Sequence, residues 1–248
     1  MELYNDDCFN VFPKIKDKSV DLFVLDLPYA NKKFGNCTAC KWDTPIDLKQ
    51  MWKEIKRIMK PNATIVHFCN TKFGFSLIES NPKWFRYDLI WKKSRKVGFL
   101  SANKMPLRQH ENIYIFKDNQ GTYNPQKTEG KPYTCKRRSV GYYNQPREDY
   151  TKNSLTENKG DRHPSSIIDI ENTILEYNNP HKTIHRTQKP VDLLEWLIKT
   201  YSNENNTVMD FCMGSGTAGV ACKNLNRKFI GVEKDKEIFK MAKERIFK

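Results

Sequence analysis

The 248-residue chain has no apolar run near the roughly 20 residues that a membrane-spanning helix needs. It has no internal repeat and no low-complexity tract, so neither a repeat array nor a biased tail is expected. Its first seven residues, Met1 to Asp7, carry three acids, where a secretory signal is basic and then apolar. Seven cysteines are an odd number, spread too widely for a disulfide framework, and fit reduced thiols in a cytoplasm. Cys37 and Cys40 form a lone Cys-x-x-Cys. Zinc would require a second ligand pair at suitable spacing, and none is evident. Acids are also scarce: 29 Asp and Glu face 43 Lys and Arg, a net charge of +14. With 38% hydrophobic and 12% aromatic residues the surplus sits on a folded chain. It points to a polyanionic partner, most often nucleic acid.

The periodicity alternates strands with helices. Apolar runs predict strands at 20–25, 63–68, 85–91, 113–116, 207–211 and 229–233. Helical spacing runs over 46–59, 73–79, 190–201, 217–225 and 236–246, with Pro190 suited to a first turn. This order implies an α/β fold with a mostly parallel sheet. Between about Asp118 and Lys182 the pattern dissolves into Asn, Lys, Gly, Pro, Tyr and Thr. A stretch that long inside a domain is expected to be a functional loop region or a small inserted lobe.

Asp210-Phe211-Cys212-Met213-Gly214-Ser215-Gly216-Thr217-Ala218-Gly219 follows a strand and opens a helix. Glu233 closes the next strand, 19 residues after Gly214. Glycines that let backbone approach a ligand, with an acid in register for a ribose diol, are the fingerprint of an adenosine-bearing cofactor. The spacing alone does not separate NAD from S-adenosylmethionine. The unit comes last in the chain, which a dehydrogenase rarely shows, so the sheet halves are in swapped order.

Asp26-Leu27-Pro28-Tyr29 ends the first long strand, where side chains of a parallel sheet project into the ligand crevice. An acceptor, a rigid Pro and an aromatic suit methylation of an exocyclic amino group. Such a nitrogen is a poor nucleophile because its lone pair is delocalised into the ring. A carboxylate and a fixed backbone carbonyl accepting its two N–H bonds favour a pyramidal nitrogen, and Tyr29 would stack on the extruded base.

Together these motifs resemble the amino-methylating DNA methyltransferases of the permuted, beta-type order. Tyr4-Asn5-Asp6-Asp7-Cys8, Asp26-Leu27-Pro28-Tyr29, His185-Arg186-Thr187-Gln188-Lys189-Pro190, the Asp210–Thr217 loop and Glu233 match the family's elements. Leu27 and Arg186 stand where the family usually has Pro. Ala39 to Asp43, and Gly98 to Leu107 running on to Glu111, are similar to the phage and low-GC bacterial adenine-N6 branch.

The resemblance implies a Rossmann-like S-adenosylmethionine-dependent sheet with 1–117 as catalytic half, 118–182 as target-recognition insertion and 183–248 as cofactor half. Glu233 is expected at the ribose, Asp7 with Cys8 at the adenine, and Asp210, Cys212 and the Gly214–Gly216–Thr217 turn at the methionine part. Thr187, Gln188 and Lys189 are expected at its carboxylate.

Double-stranded DNA is the expected partner. Residues 83–108 hold eight basic residues against Asp88 alone, a net +7, with Lys92, Lys93, Arg95 and Lys96 read as a basic loop at a strand end. Residues 126–164 hold nine against five, a net +4 that includes Lys136, Arg137 and Arg138, interleaved with tyrosines. That mixture suits phosphate contact and base stacking. A homodimer and a cognate restriction endonuclease are further expectations of the resemblance. Cytosine-N4 methylation and a non-catalytic DNA-binding relative are the alternatives.

Overall fold

A computed structural model describes residues 1–30, 43–136, 155–169 and 188–248. Its strands are β1 (Glu2–Tyr4), β2 (Val20–Leu25), β3 (Met59–Cys69), β4 (Phe85–Val97), β5 (Arg108–Phe116), β6 (Thr128–Glu129), β7 (Tyr133–Lys136), β8 (Leu155–Asn158), β9 (Asp161–Arg162), β10 (Ile167–Asp169), β11 (Thr207–Asp210) and β12 (Lys228–Val232). Its helices are α1 (Cys8–Val11), α2 (Leu48–Ile58), α3 (Thr71–Ser80), α4 (Val191–Tyr201), α5 (Thr217–Asn224) and α6 (Lys236–Phe247). They divide into two compact units, Met1–Asn124 with Ser166–Lys248, and Pro125–Ser165. No helix among the described residues is long and apolar enough to cross a membrane.

The larger unit is an eight-stranded sheet in the order β1-β12-β11-β2-β3-β5-β4-β10. Neighbours from β1 to β3 are parallel; β5 alone runs antiparallel to both its neighbours. The strands read as near-continuous apolar runs because both faces are covered. In β2, Phe23 and Leu25 enter one core with Met51 and Ile55 of α2. Leu22 and Val24 enter the other with Leu193 and Leu197 of α4 and Ala221 of α5.

Local chemistry sets the element ends. Asp47 caps α2 by accepting from the Gln50 N–H at 3.0 Å, and Met51, Trp52, Ile55 and Ile58 form its buried face. Strand β3 starts at Met59, four residues before the expected start, and runs through Pro61. The register explains this: pairing with β2 jumps from Val20↔Met59 to Leu22↔Thr64. Pro61 lies in the bulged stretch between, where its missing N–H removes no ladder bond.

The stretch 118–182 is less uniform than expected. Residues 118–124 belong to the larger unit, where the Asn124 side chain donates to Lys199 O and Ser202 O at 3.1 Å, and β10 adds to the main sheet beside β4. The smaller unit consists of two antiparallel pairs, β6 with β9 and β7 with β8, and Arg162 lies 4.8 Å over the Tyr133 ring.

Strands β1, β2, β3, β11 and β12 end at one edge of the sheet. Antiparallel β5 delivers its first residues to the same edge, and β4 its last. Neighbours β2 and β11 send their following helices, α2 and α5, to opposite faces. A crevice opens at such a switch point.

Candidate active site

A cavity of about 1210 Å³ occupies this edge. It is lined by Asp26, Leu27, Pro28 and Tyr29 after β2, and by Asp210, Cys212, Gly214 and Thr217 after β11. Glu233 follows β12 into it, Asp7 and Cys8 follow β1, and Gln188 and Lys189 precede α4. Thus thirteen of the fifteen expected catalytic and cofactor residues share one cavity. Gly216 instead caps α5 beneath the turn, and Thr187 lies outside the described residues.

On the catalytic side the carboxylates are tied into a network. Asp26 Oδ1 accepts from the Tyr29 hydroxyl at 3.0 Å, and Asp26 Oδ2 meets the Lys189 ammonium at 2.5 Å. Lys189, expected at a cofactor carboxylate, meets Asp26 and also lies 3.5 Å from Glu111 and 4.9 Å over the Phe68 ring. Burial lowers the Lys189 ammonium's pKa, but Asp26 and Glu111 outweigh it and raise it overall. Tyr29 also donates to Glu111 at 2.5 Å and stacks on Phe73 with centroids 5.5 Å apart at 22°. Burial, then the two carboxylates, push its hydroxyl well above the usual range.

Glu111 was quoted in the resemblance without a role. Burial pushes its carboxyl up, but Lys189 and Lys93, the latter 2.6 Å away, prevail and bring it to about 2. Its signal in the sequence is phase: Glu111, Ile113 and Ile115 are the buried alternate positions of β5, so an acid sits in an apolar register. Asp43 is a second such residue. It is buried and accepts from the Ala30 N–H at 2.8 Å, fixing the chain just after Tyr29.

On the other side, Glu233 accepts from the Gly214 N–H and the Asp235 N–H, both at 2.9 Å. Asp210 accepts from the Cys212 N–H at 3.1 Å. Burial pushes the Asp210 carboxyl up to about 8, with Asp26 and Glu233 adding to the rise, and burial also raises Glu233. Asp7 caps α1 by accepting from the Phe9 N–H at 3.0 Å and pairs with Lys234 at 3.1 Å. From α6, Arg245 donates to the Thr217 hydroxyl at 2.9 Å and steadies the turn.

The expected basic loop is strand. Beyond Trp91, β4 continues to Val97, because it pairs with β5 (Lys92↔His110, Val97↔Arg108) and with β10 (Lys92↔Asp169). Lys92 pairs with Asp169 at 2.5 Å on the outside, Lys93 lines the cavity, and Arg95 and Lys96 are exposed. Lys136 ends β7 in the smaller unit; Arg137 and Arg138, like Cys37 and Cys40, lie outside the described residues.

A family model described as DNA methylase, N6_N4_Mtase, matches residues 20–244. The chain belongs to the DNA methylase family. The methylase is 29% identical to Type II methyltransferase M.HpaI of Haemophilus parainfluenzae, over 96% of this chain and 73% of M.HpaI. It is 28% identical to M.BglII of Bacillus subtilis, over 97% of this chain and 67% of the relative. Among solved structures, a complex of M1.HpyAVI with SAM aligns with a TM-score of 0.62 at 23% identity, covering 98% of both chains. The cytosine-N4-specific PvuII DNA methyltransferase aligns at 0.67 with 14% identity, covering 98% of this chain and 85% of that one. At these identities the two structures share the fold.

The M1.HpyAVI complex holds SAM, and the cavity of the methylase fits that donor. Buried carboxyls that resist ionisation suit a cation, whose charge favours their ionised form. Gln188 Oε1 is buried without a hydrogen-bond partner among the described residues, an acceptor awaiting a donor. Gly214 has φ +50°, and a Cβ there would meet no atom within 4 Å, so the turn presents bare backbone to the cavity.

Proposed function

We propose that this methylase transfers a methyl group from S-adenosylmethionine to N6 of an adenine turned out of double-stranded DNA. The observation that carries the reading is the shared cavity: Asp26 and Tyr29 face the same space as Asp210, Gly214 and Glu233. When bound, the donor supplies an electrophilic methyl carbon on a sulfonium. Asp26 and the Leu27 carbonyl would each accept one N–H of the target amino group. Pro28 holds that carbonyl in place, and the Tyr29 ring stacks on the base. The nitrogen–carbon bond then forms as the carbon–sulfur bond breaks, and the displaced N–H proton passes to Asp26 and on to solvent. Positioning and hydrogen bonding supply the catalysis, with no covalent enzyme adduct.

The target amino group must compete with Lys189 for Asp26. Glu111 offers the ammonium a second seat 3.5 Å away, so Lys189 can leave Asp26 without becoming an unpaired buried charge. Glu233 would take the ribose hydroxyls, Asp7 and Cys8 the adenine, and Asp210, Cys212, Gly214, Thr217 and Gln188 the methionine part.

We assign target recognition to the smaller unit and its flanks, with Lys136, Arg137 and Arg138 on phosphates. The Type II names of the relatives support a cognate restriction endonuclease, and the reading places the enzyme in a cytoplasm. A homodimer remains an expectation that sedimentation velocity decides.

Nucleoside mass analysis of DNA after incubation with enzyme and donor tests the reaction: N6-methyladenine is expected, and N4-methylcytosine or no product overturns it. Asp26→Ala should lower turnover by about a hundredfold or more while calorimetry finds donor binding retained. Undiminished turnover would remove Asp26 from the mechanism.

A further inference from the structure

The tip of the hairpin joining β4 to β5 has an unusual surface. Phe99 is 71% exposed, Met105 61%, and Leu100 fully. Large apolar side chains grouped in the open mark an interaction site far more often than a lone exposed leucine does. The apolar tip stands on a basic segment, two of whose cations, Lys92 and Lys93, are paired with Asp169 and Glu111. Residues 92–108 contain Lys92, Lys93, Arg95, Lys96, Lys104 and Arg108 and no acid. The hairpin is rooted at the active site, because Val97 and Arg108 pair across its base and both line the cavity. Gly98, with φ +98°, turns the chain sharply into the short 3-10 turn Phe99–Ser101.

We propose that this tip is a DNA wedge: Phe99 and Leu100, with Met105 beside them, enter the base stack next to the target and hold open the gap left by the extruded base. The proposal rests on the flipped-base reading above. Extruding a base breaks its pairing and two stacking contacts, and apolar side chains driven between base steps are a known way to offset that cost. The surrounding cations would lie against the phosphates on either side of the gap. The charge also selects the partner. Two copies of this chain meeting at their tips would set exposed cations such as Lys96 and Lys104 against their own counterparts, whereas a duplex meets both the apolar tip and its cationic rim.

The test starts by mapping the sites that wild-type enzyme methylates in genomic DNA, then uses a duplex oligonucleotide carrying one site. Phe99→Ala combined with Leu100→Ala should lower kcat/KM on the matched duplex about tenfold or more, yet leave it within about twofold on the same duplex with the target base mismatched, where extrusion is easier. With 2-aminopurine at the target position, the fluorescence rise seen with wild type should be lost. Phe99→Trp should retain both. Donor binding and thermal midpoint should match wild type, since both side chains are exposed. Equal losses on matched and mismatched duplexes, or no loss on either, overturn the wedge. So does a fall in sedimentation coefficient in the double variant, which would make the tip an interface between copies. Failure of wild type to methylate any DNA would instead overturn the function on which the wedge rests.

Discussion

Asp210 is the residue at which burial and function conflict most openly. A carboxyl raised to about 8 in the folded chain and ordinary in the unfolded one, near 4, binds its proton more tightly when folded. Its stabilising share is therefore whole below about pH 4 and is lost as pH rises toward 8. The donor-free protein should lose thermal stability over that window, and Asp210→Asn, which cannot ionise, should flatten the slope. Urea midpoints from pH 5 to 8 read this directly; parallel slopes for the two proteins would refute it. The place of Asp210 was legible through the resemblance of the Asp210–Thr217 loop to the family's element, and it lines the cavity at the end of β11. Its protonation state was not, because that depends on Asp26 and Glu233 being gathered from distant parts of the chain. The contact of Lys189 with Asp26 was hidden for the same reason: the two are 163 residues apart in sequence.

At the scale of elements, the buried parallel strands were legible to within a few residues, since apolar runs bounded by turn residues have few other uses. The exceptions arose where pairing overrides local pattern. Strand β4 extends through five charged or polar residues, from Lys92 to Lys96, because β5 and β10 lie alongside, and β10 sits in a stretch with no period of its own. The direction of β5 was equally hidden, yet it alone brings Glu111 to the active edge. Glu111→Gln should therefore act in two ways. It removes a buried partner of Lys93 and Lys189, at about 3–5 kcal/mol of stability. It also leaves Asp26 as the sole carboxylate seat for Lys189, so kcat should fall more than the KM for donor rises. Because Glu111 is held down to about 2, its stabilising share is present above an ordinary carboxyl value near 4.5 and lost as pH falls toward 2. The variant should thus differ from wild type in melting point at pH 7 and converge with it near pH 2–3. A variant with normal kcat would show that Lys189 needs no second seat.

For the whole molecule, the surplus of +14 was legible as a sign of nucleic acid but silent on where contact occurs. The structure pairs two of the basic segment's cations with acids. Lys92 answers Asp169 and Lys93 answers Glu111, whereas Lys96 and Lys104 stand exposed on the hairpin that carries Phe99 and Leu100. The two kinds of surface group predict different signatures. A cation on a phosphate releases a counterion, so Lys96→Ala and Lys104→Ala should each make the slope of log affinity against log salt shallower by about 0.9. The loss should be alike for methylated-site and unrelated duplexes, because phosphates carry no sequence. An apolar wedge releases no counterion, so Phe99→Ala should lower affinity with an unchanged slope. Fluorescence anisotropy between about 50 and 200 mM salt separates the two, since six phosphate contacts already cost roughly a thousandfold in affinity over that range. If the lysine variants keep the wild-type slope, the basic hairpin does not lie on the phosphates, and the DNA must be gripped elsewhere on the chain.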